Sequence, residues 1–271
     1  MFLKNGSFVV MSGRHLFAHK NALIGLFFLL WLGSCRQQTW APSLSMATKL
    51  EVHSEALQDS QMLVLINPYR QGLEKAMNDT IGFLSIDLMK GDGENLLGNF
   101  VSDLLLVKAS EVYDTLVDMA AVTNGGLRTH LKKGYLKVGD IFELMPFDNE
   151  LLLLRIHGRQ VEQLFTYMYQ RKNLSVSNSK VVFDHYGHIH SLHIGGEPYD
   201  PTRFYSLAIS DYLATGGDQM GFLTASESAV SAHYKVRDAI IDYVREQHKA
   251  GDTIQVEIDG RATIIEEDSH E

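Results

Sequence analysis

Three short segments of this 271-residue chain combine residue types that could bind a small polar ligand. The first is Asn124-Gly125-Gly126, followed two residues later by Arg128. Glycines let a backbone approach a ligand closely, and the planar guanidinium of arginine forms a fork that suits a phosphate group. The alternative interpretation of the same residues is an ordinary hairpin turn.

The second and third segments each place an aromatic residue in a loop. Phe147 follows Pro146 in a turn that also carries Asn149. The third segment contains Tyr212, Gly216, Gly217 and Asp218. Two aromatic rings on loops can stack on both faces of a flat base, and a carboxylate can accept hydrogen bonds from ribose hydroxyls. The three segments together therefore predict a nucleoside-type site. The alternative for Phe147 is a loop hydrophobe that folds back on the core.

A possible helix start precedes these segments at Glu94 to Asp103. Gly98 and Asn99 lie near its first turn, where free backbone N–H groups can face an anion. The sequence favours the simpler interpretation, a capped amphipathic helix.

Periodic hydrophobic patterns predict the elements that must position these loops. Apolar residues at helical spacing mark one helix near residues 97–105, a second opening at Gly158 and a third near 236–244. Alternating or continuous apolar runs predict strands at 118–123, 151–156, 192–194 and 205–209, and a closing strand at 254–258. We therefore predict one α+β (mixed α/β) domain with mixed sheets flanked by helices.

The composition limits the function. Residues 1–35 carry three basic and no acidic residues, so the rest has 21 basic against 33 acidic residues, a net charge of −12. Nucleic-acid binding relies on many phosphate contacts, and no Lys/Arg-rich run is present to make them. The composition thus argues against nucleic acid as a partner, but it does not exclude a single nucleotide, which needs only a local positive site.

The N-terminal segment resembles a secretory signal. Three basic residues precede an apolar run that ends in Leu32-Gly33-Ser34-Cys35, a pattern typical of a bacterial lipobox. We expect Cys35 to be lipidated and to hold an exported lipoprotein to a membrane, on its periplasmic or cell-surface face. The alternative is an ordinary signal peptide or N-terminal anchor. The predicted organisation is a signal peptide (1–35), a tether (36–48), one domain (49–265) and a polar tail (266–271).

The segments, in this order, resemble the C-terminal, substrate-binding domain of the 5'-nucleotidase family, and the similarity runs from about residue 78 to 260. Glu94-Asn95-Leu96-Leu97-Gly98-Asn99 matches the family's helix start. The resemblance implies that Phe147 and Tyr212 stack on the base and that Asn149 hydrogen-bonds to its edge. It also implies that Asp218 holds the ribose and that Arg128 meets the ribose-phosphate end, with Asn124, Gly125, Gly126, Gly216 and Gly217 completing the substrate site.

In this family the hydrolytic chemistry belongs to an N-terminal metallophosphatase domain with two metals. About 40 residues separate Cys35 from the first matching segment, too few for a domain of ~100–200 residues. We therefore expect no catalytic residue, metal site or cofactor in this chain, and divalent metals in a separate metallophosphatase subunit. His188 and His190 match one metal motif by letters, but the favoured interpretation of this segment is a solvated hairpin.

Three functions remain open. The chain could be the nucleotide-recognising part of a split 5'-nucleotidase whose metallophosphatase subunit is separate. It could instead be a non-catalytic nucleoside- or nucleotide-binding lipoprotein. A third, weaker hypothesis is a complete hydrolase that uses the histidine cluster.

Overall fold

The computed structural model describes residues 59–265. The predicted signal peptide, Cys35, the tether and the polar tail lie outside these residues. The helices are α1 (Ser60–Met77), α2 (Leu96–Val112), α3 (Val138–Leu144), α4 (Gly158–Arg171), α5 (Asp211–Ala214) and α6 (Val236–Ala250). The strands are β1 (Thr80–Leu84), β2 (Met119–Thr123), β3 (Gly134–Lys137), β4 (Glu150–His157), β5 (Leu174–Val176), β6 (Ser179–Phe183), β7 (Ile189–Ile194), β8 (Glu197–Pro198), β9 (Phe204–Ser210), β10 (Ser228–Lys235) and β11 (Ala262–Ile264).

A five-stranded mixed sheet in the order β10-β4-β9-β2-β5 organises this region. Strands β2 and β9 pair in parallel, whereas the other neighbouring pairs are antiparallel. Successive side chains of a strand point to opposite faces of the sheet. In β2, for example, Val122 belongs to one hydrophobic cluster and Ala121 to another. The sheet is therefore covered on both faces, which explains the continuous apolar run at the start of β4.

Helices α2 and α6 cover one face of this sheet, and α4 covers the other with the β6–β7 hairpin. The predicted helix faces are confirmed, because their apolar residues lie in the core. Those of α2 are Leu97, Phe100, Val101, Leu104 and Leu105. Those of α4 are Val161, Leu164, Phe165 and Met168. The observed arrangement matches the predicted α+β class.

The predicted closing strand at 254–258 is wrong. Ile254 packs in the hydrophobic cluster that contains Val122, and its only strand-like contact is an isolated bridge with Leu84. The last described strand is instead β11, which pairs in parallel with β6 at the edge of a four-stranded sheet in the order β11-β6-β7-β8. The alternating apolar pattern at residues 254–258 thus reflects contact with the core, although these residues form no hydrogen-bonded strand ladder.

The strand register brings the three predicted loop segments to one edge of the central sheet. Parallel β2 and β9 both end there, and they lead directly into the segments at Asn124 and Tyr212. Antiparallel β4 begins there, since Leu151 pairs with Ser210, and it follows the segment at Phe147. We call this the loop edge. Carboxyl ends of parallel strands are a common location for ligand sites in open α/β sheets.

Among residues 59–265, none of the helices has the length and apolar character needed to span a bilayer.

Candidate functional site

Asp218 joins two of the three segments at the loop edge. Its Oδ2 accepts a hydrogen bond from Thr123 Oγ1 (2.7 Å), at the end of β2. Its Oδ1 accepts one from the Tyr212 hydroxyl (2.9 Å), within its own loop. The carboxylate therefore fixes the Tyr212 ring relative to β2. Because a carboxylate has about four lone-pair positions, it can still accept hydrogen bonds from a ligand.

The Gly216-Gly217 pair gives this loop its shape. Gly216 has φ +99°, a left-handed conformation that favours glycine. A Cβ on Gly217 would lie 2.5 Å from Cζ of the Tyr212 ring, so only glycine allows the backbone to pass the ring this closely. Asp218 itself is left-handed, with φ 50°, which asparagine and aspartate tolerate best among residues with side chains.

The segment that precedes α2 forms hydrogen bonds to the Asn124-Gly125-Gly126 loop and holds it in place. Lys90 Nζ donates to the carbonyl oxygen of Leu127 (2.9 Å) and lies 3.4 Å from that of Asn124. Asn124 Nδ2 donates to the carbonyl of Gly91 (2.6 Å). Lys90 thus contributes to the shape of the loop, a role that its position 34 residues away in the sequence does not reveal.

Arg128 and Phe147 lie next to each other at the loop edge. The guanidinium carbon of Arg128 is 5.8 Å from the centroid of the Phe147 ring, within the range of a cation–π contact. The backbone N–H of Arg128 donates to the carbonyl of Leu144 (2.8 Å), which ties the first segment to the second. Phe147 and Tyr212 are 39% and 48% exposed as residues, so both keep accessible surface for a ligand.

Asn149 is half-buried beside Phe147, and its backbone carbonyl accepts a hydrogen bond from Val236 N–H (2.9 Å). Within the described chain its side-chain amide is engaged in no hydrogen bond, so it can bond to a ligand.

The sequence did not identify Arg237, a buried cation that supports the Phe147 turn. Its guanidinium stacks over the Phe142 ring at 4.2 Å and donates to the carbonyl of Phe147 (3.2 Å). It also forms an ion pair with Asp148. Hydrogen bonds from Arg237 and then Lys235 hold the pKa of Asp148 below its ordinary value. Arg237 therefore fixes the backbone of the Phe147 turn.

The start of α2 is a capped helix, as the sequence favoured. Asn95 is its N-cap, and Asn95 Oδ1 accepts from Gly98 N–H (2.8 Å). A Cβ on Gly98 would overlap Ser175 Oγ, so glycine allows α2 to pack directly against β5. The Leu-Gly-Asn motif therefore serves helix packing here.

The histidine segment forms the predicted exposed hairpin, β6–β7. His188 is highly exposed, and its Nδ1 lies 2.9 Å from Asp184 Oδ2. In the part of the chain that the structure describes, no three His, Cys, Asp or Glu side chains form a group that could hold a metal ion.

The fold and its loop edge define an α+β domain with aromatic, amide, carboxylate and guanidinium groups on three loops at one edge of the central sheet. The sequence profile of the family described as "5'-nucleotidase, C-terminal domain" matches residues 77–225, more than half of the chain. The chain therefore belongs to this family.

Curated relatives agree with this assignment. Protein UshA of Yersinia enterocolitica is 26% identical over 211 residues, which are 76% of this chain and 38% of that protein. The probable 5'-nucleotidase of Treponema pallidum is 20% identical over 222 residues, 70% of this chain and 37% of that protein. The chain thus spans less than two fifths of the length of these relatives.

Solved structures share the fold. The 5'-nucleotidase precursor from Thermus thermophilus superposes with a TM-score of 0.65 at 23% identity, over 76% of this chain and 43% of that chain. The Haemophilus influenzae NAD nucleotidase gives 0.57 at 16% identity, over 96% of this chain and 47% of that one.

Replacing Arg237 with methionine should destabilise the domain by about 1–3 kcal/mol, because the carbonyl oxygen of Phe147 and its neighbours lose a buried charged donor. Urea unfolding measures this loss. The matched control is Arg245→Met, which removes an exposed ion pair with Asp79 and should cost at most about 1 kcal/mol. Equal costs for the two variants would contradict the supporting role of Arg237.

Proposed function

We propose that this chain is the nucleotide-recognising component of a 5'-nucleotidase-type phosphohydrolase system that serves nucleotide catabolism. The observation that carries the proposal is the convergence of Asn124, Phe147 and Tyr212 with Asp218 and Arg128 at the loop edge. Family membership supports the same conclusion. In this proposal the base lies between the rings of Phe147 and Tyr212, and the Asn149 amide hydrogen-bonds to its edge.

Asp218 would accept hydrogen bonds from the ribose hydroxyls. Since both carboxylate oxygens of Asp218 already accept from protein hydroxyls, the group is held in place before a ligand arrives. Arg128, which is exposed, would meet the ribose-phosphate end. Lys90 is committed to loop carbonyls, so Arg128 would carry most of the attraction for phosphate. A nucleoside would use the same groups, but because it has no phosphate, charge would contribute less to its binding free energy.

Adenosine and AMP should both bind the isolated protein, and the variant Phe147→Ala, Tyr212→Ala should lose about 1–3 kcal/mol of binding free energy for each stacking contact. Isothermal titration calorimetry measures both affinities. Tyr135→Ala removes a tyrosine that is 71% exposed outside the loop edge and serves as the control. Unchanged affinity in the double variant, or no binding by the unaltered protein, would contradict the proposal.

Catalysis in this proposal comes from a separately encoded metallophosphatase that carries the divalent metals. The chain spans less than two fifths of UshA of Yersinia enterocolitica, and the family match begins at residue 77, where α1 ends. Because the matched family is a C-terminal domain, the remaining part of such a relative precedes this point. A partner in trans would therefore meet the chain near α1.

Helix α1 has a surface that suits such a partner. None of its residues is buried. Four large apolar side chains recur at helical spacing along one face, and each is more than half exposed: Met62, Leu65, Tyr69 and Leu73. An exposed apolar stripe of this kind is typical of a protein–protein contact.

Mixing this protein with its metallophosphatase partner should release phosphate from AMP, whereas the protein alone should release none. Leu65→Glu should abolish co-purification and weaken this activity, because it places a charge in the apolar stripe. Val64→Glu, on the opposite face of α1 and 74% exposed, should change neither. If no metallophosphatase of the same genome binds the chain or gains activity with it, the split enzyme is excluded.

The second candidate is a non-catalytic nucleoside- or nucleotide-binding lipoprotein, which uses the same loop edge. Binding of adenosine without any partner-dependent hydrolysis would favour it. In both proposals the protein is exported and attached to a membrane through lipidated Cys35, on the periplasmic or cell-surface side.

A further inference from the structure

The Asp218 carboxylate at the loop edge has neutral hydrogen-bond partners on both of its oxygens. Oδ2 accepts from Thr123 Oγ1 at 2.7 Å, and Oδ1 accepts from the Tyr212 hydroxyl at 2.9 Å. Among residues 59–265, no cationic side chain forms an ion pair with it. Each carboxylate oxygen has two lone-pair positions, so one position remains free on each oxygen. The two free positions suit two neighbouring hydroxyl donors of a ligand.

Thr123 sets the direction of this carboxylate. It is 1% exposed at the end of β2, where it pairs with Leu174 of β5 in the central sheet. Buried hydroxyl groups are nearly always hydrogen-bonded, and the Thr123 hydroxyl donates to Asp218. The carboxylate is therefore anchored to the central sheet as well as to its own loop.

Gly125 leaves space beside the oxygen that Thr123 holds. A Cβ at Gly125 would lie 3.1 Å from Asp218 Oδ2 and 3.9 Å from Asp218 Cγ. Gly125 is exposed and Asp218 is half-buried, so a ligand can approach the carboxylate from this side. The backbone of Gly125 is not left-handed, so the missing side chain, and not conformational freedom, explains a glycine here.

The neighbouring Gly126 has different surroundings. Its Cβ would lie 3.4 Å from the carbonyl oxygen of Thr123 and 3.7 Å from Met145 Cε, with no atom of Asp218 within 4 Å. The two glycines of one turn therefore differ in their relation to the carboxylate, which makes them a matched pair for an experiment.

We infer that Asp218, positioned by Thr123 and left accessible by Gly125, selects nucleosides and nucleotides whose ribose carries both the 2'- and the 3'-hydroxyl. The inference rests on the proposed function, because it concerns the ribose end of the same site. A vicinal diol can donate to both free acceptor positions at once, whereas a deoxy sugar leaves at least one of them without a ligand donor. Hydrogen bonds to charged groups are stronger than those between neutral groups. Gly125 is thus a specificity-determining residue, and Thr123 is a positioning residue.

Calorimetric titration of the full chain with adenosine, 2'-deoxyadenosine and 2',3'-dideoxyadenosine tests this selection. Adenosine should bind about tenfold or more tightly than the dideoxy analogue, because the analogue loses its hydrogen bonds to a charged acceptor. The affinity for 2'-deoxyadenosine should lie between the two. All three ligands carry the same base, so stacking on Phe147 and Tyr212 contributes equally to each.

Two pairs of variants locate the selection in the structure. Gly125→Ala should reduce the preference for adenosine over the dideoxy analogue about fivefold, because a methyl group crowds Asp218 Oδ2. Gly126→Ala should leave the preference unchanged. Thr123→Val removes the donor to Asp218 and should reduce the preference by a similar factor, whereas Thr123→Ser should retain it. The affinity for the dideoxy analogue should stay the same in all four variants, which a merely structural role would not predict.

Equal affinities of the unaltered protein for adenosine and 2',3'-dideoxyadenosine would overturn the inference and leave nucleoside binding intact. A preference that survives both Gly125→Ala and Thr123→Val would also overturn it. Thermal melting establishes that each variant is folded, and the two Thr123 variants give the decision if Gly125→Ala does not fold. If the unaltered protein binds none of the three nucleosides, the proposed function fails, and the inference fails with it.

Discussion

The parallel pairing of β2 with β9 is the constraint on which the site depends. Met119 pairs with Leu207 and Ala120 with Ala208, so the two strands end at the same edge of the sheet. Each then continues into a loop of the predicted site. Antiparallel β4 must begin at this edge because it pairs with β9, and it brings the Phe147 turn with it. Three segments that are far apart in the chain thus meet without any long loop.

Side-chain contacts then convert this proximity into a defined geometry. Asp218 connects the end of β2 to the Tyr212 ring, across 95 residues of sequence. Arg237 supports the Phe147 turn through its hydrogen bond to the Phe147 carbonyl, and its partner Asp148 remains largely exposed. A site whose groups are fixed before binding loses less conformational entropy when the ligand arrives. The glycine pair that begins at Gly216 contributes to this preorganisation. It lets the loop turn tightly enough to bring Asp218 back to Tyr212.

The sequence predicts much of this fold, because long periodic patterns report burial directly. The apolar face of α2 and the continuous run of β4 are examples, and both lie in the core. The closing strand was misassigned because an alternating pattern, as at Ile254, reports contact with a core but does not report a hydrogen-bonded neighbour. Strand β11 has three residues and depends on its partner β6, which no local pattern encodes.

The loop segments of the site are recognisable because glycine pairs mark turns and aromatic residues are unusual in such turns. The residues that support these loops are not recognisable from the sequence. Lys90 and Arg237 look like ordinary cations in the sequence, and only the tertiary structure places them under the loops. Long-range contacts of this kind follow from strand order, which hydrophobic periodicity does not determine.

The central claim is that a nucleoside binds at the loop edge. Titration of the isotopically labelled protein with adenosine, followed by amide NMR, tests it most directly. The amide signals of Asn124 to Gly126, of Phe147 to Asn149 and of Tyr212 to Asp218 should shift together and saturate at one affinity. Signals of the β6–β7 hairpin should not move. Shifts confined to the hairpin, or no saturable shift at the three segments, would contradict the claim.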